Sequence, residues 1–140
     1  MRLLFILICI MLPVEVIAQF LPGMDQSQVG MHMEETFREF VLRNPPNVDE
    51  LDFLKYEHIS GDKTLLVFMT ECGICSFTRL MVDIDYLKET VDMYNREYQP
   101  AGENMWTVKK EEYEYIVSLD QSEWLFTVTV RLKGGDGMTE

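Results

Sequence analysis

Cys72-Gly73-Ile74-Cys75 is the stretch whose residue types and spacing could do covalent chemistry. In a Cys-x-x-Cys pair at a helix N-terminus, free backbone N–H groups and the helix dipole stabilise the first thiolate. A dithiol so placed exchanges with substrate disulfides, with Cys72 attacking and Cys75 resolving. Glu71 adjoins Cys72 and opposes thiolate formation, while Arg79 lies two turns away on a helical reading. The competing reading is structural: a disulfide between Cys72 and Cys75, or two core thiols. Neither reading requires a cofactor.

Other chemistries find little footing. His32 and His58 are single histidines on separate predicted helices, and His32 with Glu35 makes only an i,i+3 pair. Both are expected to face solvent, so no metal site is expected. There is no Asp-x-Asp-x-Asp-Gly calcium loop, no Gly-x-Ser-x-Gly elbow and no glycine-rich phosphate loop. The remaining feature is aromatic. Trp124 and Phe126, with Tyr113 and Tyr115 opposite, either line a ligand cavity or form the core face of a sheet.

The elements that must position these residues follow from hydrophobic periodicity. Met33, Phe37, Phe40 and Val41 predict a helix over 31–43, stopped by Asn44-Pro45-Pro46. Asn47 with Glu50 reads as a capping box, opening a second helix that ends at Gly61. Residues 65–69 are an unbroken apolar run, as in a strand covered on both faces. Phe77, Leu80, Met81, Ile84, Leu87, Val91, Tyr94 and Tyr98 then keep helical spacing, predicting one long helix. Strands are expected over 105–108, 112–118 and 124–133, the last two joined by a hairpin turn at 119–122. This order gives an α+β domain, with N-terminal helices and one long helix packed on an antiparallel sheet.

Residues 1–18 have the form of a signal peptide. Arg2 precedes an apolar core over 3–14, and Val16-Ile17-Ala18 sets cleavage before Gln19. The apolar run is too short to span about 30 Å of hydrocarbon as a helix. The expected organisation is a signal peptide at 1–18, a flexible arm at 19–30, one domain at 31–133 and a disordered tail at 134–140. The charge balance, 24 acidic against 12 basic residues with a net of -12, repels phosphate backbones and anionic lipid. Nucleic acid is therefore not expected as a partner, nor is the membrane once the signal is removed.

Two resemblances bear on function. The strand at 65–69 followed by Cys72-x-x-Cys75 resembles thioredoxin-like oxidoreductases over roughly 61–98, with Phe68 at a familiar spacing before Cys72. The family's cis-proline has no counterpart, because no proline follows Pro100. Over most of the chain, the order of helices, mid-chain strand and terminal strands resembles small secreted nuclear-transport-factor-2-like and cystatin-like proteins. That resemblance implies a sheet wrapped on a helix. The nearest string to the cystatin Gln-x-Val-x-Gly tip, Gln26-Ser27-Gln28-Val29-Gly30, has its valine one place late. The reading that results is a secreted, non-enzymatic module binding a small molecule or protein, with a thiol–disulfide oxidoreductase as the alternative. Intact mass of the protein recovered from the medium of secreting cells is expected to show a chain beginning at Gln19. A chain retaining Met1 or the apolar core would remove the secreted assignment.

Overall fold

The computed structural model describes residues 20–43, 53–110 and 112–134. The expected signal segment, the capping box at Asn47 and the tail beyond Gly134 lie outside the described residues. The elements are α1 (Gln26–Thr36), then strands β1 (Phe40–Leu42), β2 (Phe53–His58), β3 (Lys63–Met69) and β4 (Cys75–Asp83). A short 3-10 turn (Ile84–Tyr86) leads into α2 (Leu87–Glu97). Strands β5 (Gln99–Gly102), β6 (Met105–Lys110), β7 (Tyr113–Gln121) and β8 (Leu125–Leu132) complete the order.

All eight strands join one antiparallel sheet in the order β1-β2-β3-β4-β8-β7-β6-β5. Two four-stranded meanders are thus joined at one seam. The chain leaves β4 through α2, enters the far edge at β5 and returns strand by strand, so that β8 lies beside β4. Thr78, Leu80 and Val82 of β4 face Val130, Val128 and Phe126 of β8 in register. All six side chains are buried.

This is a correction to the expected α+β arrangement of N-terminal helices and one long helix on a sheet. The long helix is half strand. Residues 75–83 form β4, and helix begins only after Asp83, whose carboxylate accepts the N–H of Asp85 at 2.9 Å. The misleading spacing has a physical cause. Phe77 and Met81 pack on the outer face of the sheet and Leu80 on the inner, so apolar residues from both faces mimic one helical stripe. Cys72 therefore sits in a hairpin turn and Cys75 at the start of β4, not at a helix start. The predicted second helix is also wrong over its described part, where β2 alternates Leu54 and Tyr56 inward with Lys55 and Glu57 outward. The strand at 65–69 is present within β3, and the three C-terminal strands are present, the first two longer than expected and the last one residue shorter at each end.

The first helix lies earlier than its apolar spacing suggested. Asp25 is its N-cap, accepting from the Gln28 N–H at 2.8 Å, while the Gln28 side chain accepts from the Asp25 N–H at 3.0 Å. That reciprocal box satisfies two N–H groups at the helix start. Val29, Met33 and Phe37 are buried on the inner face of the sheet, and Phe40 belongs to β1. The expected flexible arm is structured instead. Leu21 is fully buried and Phe20 nearly so. The Gly23 N–H donates to the Cys75 carbonyl at 2.8 Å and the Cys75 N–H to the Met24 carbonyl at 2.7 Å, adding a short pairing at the end of the sheet.

α2 packs on the same face through Met93 and Tyr94. The Trp106 indole N–H donates to Asn95 Oδ1 at 2.9 Å and ties α2 to β6. Among the described residues, no helix is long and apolar enough to cross a membrane. The seam yields a direct contrast. Phe126→Ala leaves a cavity between β4 and β7 and is expected to cost about 3–5 kcal/mol. Trp124→Ala, at a site 74% exposed in the β7–β8 turn, should stay within about 0.5 kcal/mol of wild type. Urea unfolding midpoints of both variants check this, and equal losses would place the core elsewhere.

Candidate functional site

The dithiol stretch closes the β3–β4 hairpin. The Thr70 N–H donates to the Ile74 carbonyl at 2.8 Å and the Gly73 N–H to the Thr70 carbonyl at 2.9 Å. Gly73 takes φ 77°, a left-handed conformation that suits glycine. Cys72 is exposed and Cys75 buried, and both are free thiols. Burial pushes the Cys75 thiol up to about 12. Nothing at this turn supplies the aligned N–H groups of a helix start, so the reason to expect a reactive thiolate is removed.

A second polar cluster sits at the opposite hairpin, β2–β3. His58 Nε2 lies 2.8 Å from Glu39 Oε2, and His58 Nδ1 lies 2.5 Å from Ser60 Oγ. The Ser60 N–H donates to His58 Nδ1 at 3.1 Å, so Nδ1 is an acceptor and Nε2–H the donor to Glu39. Carboxylate, imidazole and hydroxyl thus stand in the order of a nucleophilic triad. Asp62, however, accepts from the Ser60 hydroxyl. The Ser60 proton is thus committed to Asp62 and not to the imidazole, which would have to take it for Ser60 to act as a nucleophile. The cluster is a clamp on the turn, which Gly61 rounds at φ 80°.

Among the described residues, clefts open around the helices and the inner face, and three of them bear on function. One of about 440 Å3 lies between α2 and the seam, bounded below by Leu80, Val82, Phe126 and Val128. Its rim balances Lys63 and Arg96 against Glu89 and Asp92. Phe126 and Val128 have no exposed surface, so the cleft stops against a filled core. A smaller one of about 260 Å3 lies by His58, with Glu35 and Glu39 opposed by Arg38.

The third of these clefts has a volume of about 600 Å3. The N-terminal segment supplies Phe20, Pro22, Gly23 and Met24; α1 supplies Gln28 and His32; β6 and β7 supply Lys110, Tyr113 and Tyr115. Each position follows from a local rule. Phe20 is held by edge-on contacts to Tyr115 at 5.1 Å and Tyr98 at 6.1 Å. Trp106, Val108 and Lys110 alternate along β6 and so share the inner face. Tyr113 stands opposite Lys110 in register across the β6–β7 turn, with Tyr115 two residues on. The Lys110 ammonium lies 4.5 Å from the Phe20 ring centroid, a cation–π contact.

Electrostatics single this cleft out. Among the described residues, Lys110 and His32 line it and no acidic residue does. Burial lowers the Lys110 pKa. Burial is also the main cause that lowers His32, helped by nearby Lys110 and opposed by Glu35. At pH 7 the imidazole is therefore neutral and presents one N–H donor and one acceptor. Behind Phe20, the Tyr98 hydroxyl is buried without a hydrogen-bond partner among the described residues. Burial, assisted by Glu97, holds its ionisation far above the usual range.

Of the aromatic residues expected to line a pocket, Tyr113 and Tyr115 do so together. Phe126 bounds a different cleft as core, and Trp124 is exposed in a turn. The residues that sequence reasoning missed are Phe20, His32 and Lys110. Lys110 was legible from parity with Trp106 and Val108. Phe20 was not, because two apolar residues before a proline carry no period. Among the described residues, no His, Cys, Asp and Glu cluster suits a metal. Comparison with models of known families, with curated proteins and with solved structures finds no match for this chain. The thiol environments give a sharp expectation. Native protein treated with iodoacetamide at pH 8 should be alkylated at Cys72 and spared at Cys75 until denaturant is added. Peptide mass mapping reads the outcome, and equal native labelling of both would contradict the burial of Cys75.

Proposed function

We propose that this protein is a secreted, non-enzymatic binding module that takes a small, flat, apolar molecule. The site is the 600 Å3 cleft between the N-terminal segment, α1 and the β6–β7 hairpin. One observation carries the reading: three aromatic side chains, Phe20 from the N-terminal segment and Tyr113 and Tyr115 from β7, converge on a preformed cleft of ligand size. Tyr115 and Phe20 form its wall and are nearly buried, whereas Tyr113 is 53% exposed at its mouth. A rigid wall with one free aromatic at the entrance suits stacking of a planar guest. Secretion is supported by the residue pattern at 1–18, and the non-enzymatic character by the unsuitability of both polar turns for catalysis.

The test uses 2-naphthol as probe and isothermal titration as readout. Saturable 1:1 binding is expected. Tyr113→Ala, which removes a mostly exposed ring and spares the core, should weaken it roughly tenfold, as loss of one aromatic stacking partner does. Absence of saturable binding, or binding indifferent to Tyr113→Ala and to Tyr115→Phe/Tyr113→Ala together, would overturn the assignment of this cleft.

A further inference from the structure

We propose that the ligand of this cleft is a monoanion, a flat apolar body carrying one carboxylate that Lys110 receives with His32 as a hydrogen-bond partner. The inference rests on the preceding reading of the cleft and adds the charge of its guest. Three observations carry it. The chain is strongly acidic, with 24 carboxylate residues against 12 basic ones. The other two clefts reflect this, each placing acidic and basic side chains together. Among the described residues, the aromatic cleft alone of these three has basic lining and no acidic lining.

Lys110 is also badly served where it stands. Its ammonium is half-buried, and its described contact is the face of the Phe20 ring. No ion pair joins it to a carboxylate among the described residues. A cation removed from water in this way is stabilised by an entering anion more than an exposed lysine would be. Burial already depresses its ionisation, and an anion would reverse that. One full positive charge and one neutral imidazole match a single negative charge with two oxygens, in preference to a dianion. The aromatic wall supplies the surface for the rest of the molecule.

The experiment compares 2-naphthoate with its uncharged amide, 2-naphthamide, on the wild-type protein at pH 7. The carboxylate is expected to bind roughly tenfold tighter, the scale of one charge-assisted hydrogen bond in a partly buried site. Lys110→Met should bring the carboxylate down to the affinity of the amide and leave the amide unchanged. Lys110→Arg should keep most of the preference. Equal affinity of both probes for wild type, or a carboxylate indifferent to Lys110→Met, overturns the anion assignment and leaves the cleft reading standing. Failure of both probes to bind removes the cleft reading and this inference with it. Should Lys110→Met not fold, the wild-type comparison of acid and amide decides alone.

Discussion

The architecture depends on the pairing of β4 with β8. Each half of the molecule is a meander that could be built from local hairpins, but neither half encloses a core alone. The seam Thr78–Val130, Leu80–Val128 and Val82–Phe126 makes one continuous inner face from the two. On that face the helices find apolar surface from both meanders at once. α1 brings Val29, Met33 and Phe37, and α2 brings Met93 and Tyr94, into one cluster with the strands. Burial of this kind is the main favourable term in folding. Every cleft described above is a gap left where helix or N-terminal segment meets this shared surface.

The inner face divides into a filled region and an open one for a simple reason. Below α2, side chains from two strands and a helix interdigitate, and Phe126 and Val128 are sealed. At the other end, the cover is a short segment pinned by two backbone hydrogen bonds to Cys75. A segment held by its backbone leaves the space around its side chains less completely filled. Phe20 closes part of that space, and Lys110 reaches into the remainder. The polar turn at His58 shows the opposite economy, since both imidazole nitrogens and the Ser60 hydroxyl meet partners and the geometry is spent on holding a hairpin.

Legibility of the fold tracked which faces of each strand are apolar. β8 alternates Phe126, Val128 and Val130 with Thr127, Thr129 and Arg131, and so reads as a strand from its sequence. β4 does not, because Phe77 and Met81 on its outer face complete a false helical stripe with Leu80 and Ile84 on other sides. Residues 87–97 carry a true helical stripe, which lent credit to the false one before it. α1 was displaced for another reason: Asp25 and Gln28 form the capping box, but the apolar spacing after Met31 drew the start downstream. Of the site, the tyrosine pair was legible as an aromatic feature of one strand. Its partners come from the other end of the chain, and their proximity is a product of topology.

The order of strands also sets a timetable. β1 to β4 can pair as soon as they exist, since each neighbour in space is a neighbour in sequence. β8 is the last strand in the chain, and its place in the middle of the sheet must wait for it. Until it docks, β4 presents an open row of N–H and C=O groups along an apolar strand. Such an edge invites pairing with other chains. Non-local pairing of this kind is slow to form. The protein therefore carries its period of greatest aggregation risk between completion of the first meander and arrival of the final strand. Conditions that hasten the second half of the fold should raise its yield more than those that strengthen the first.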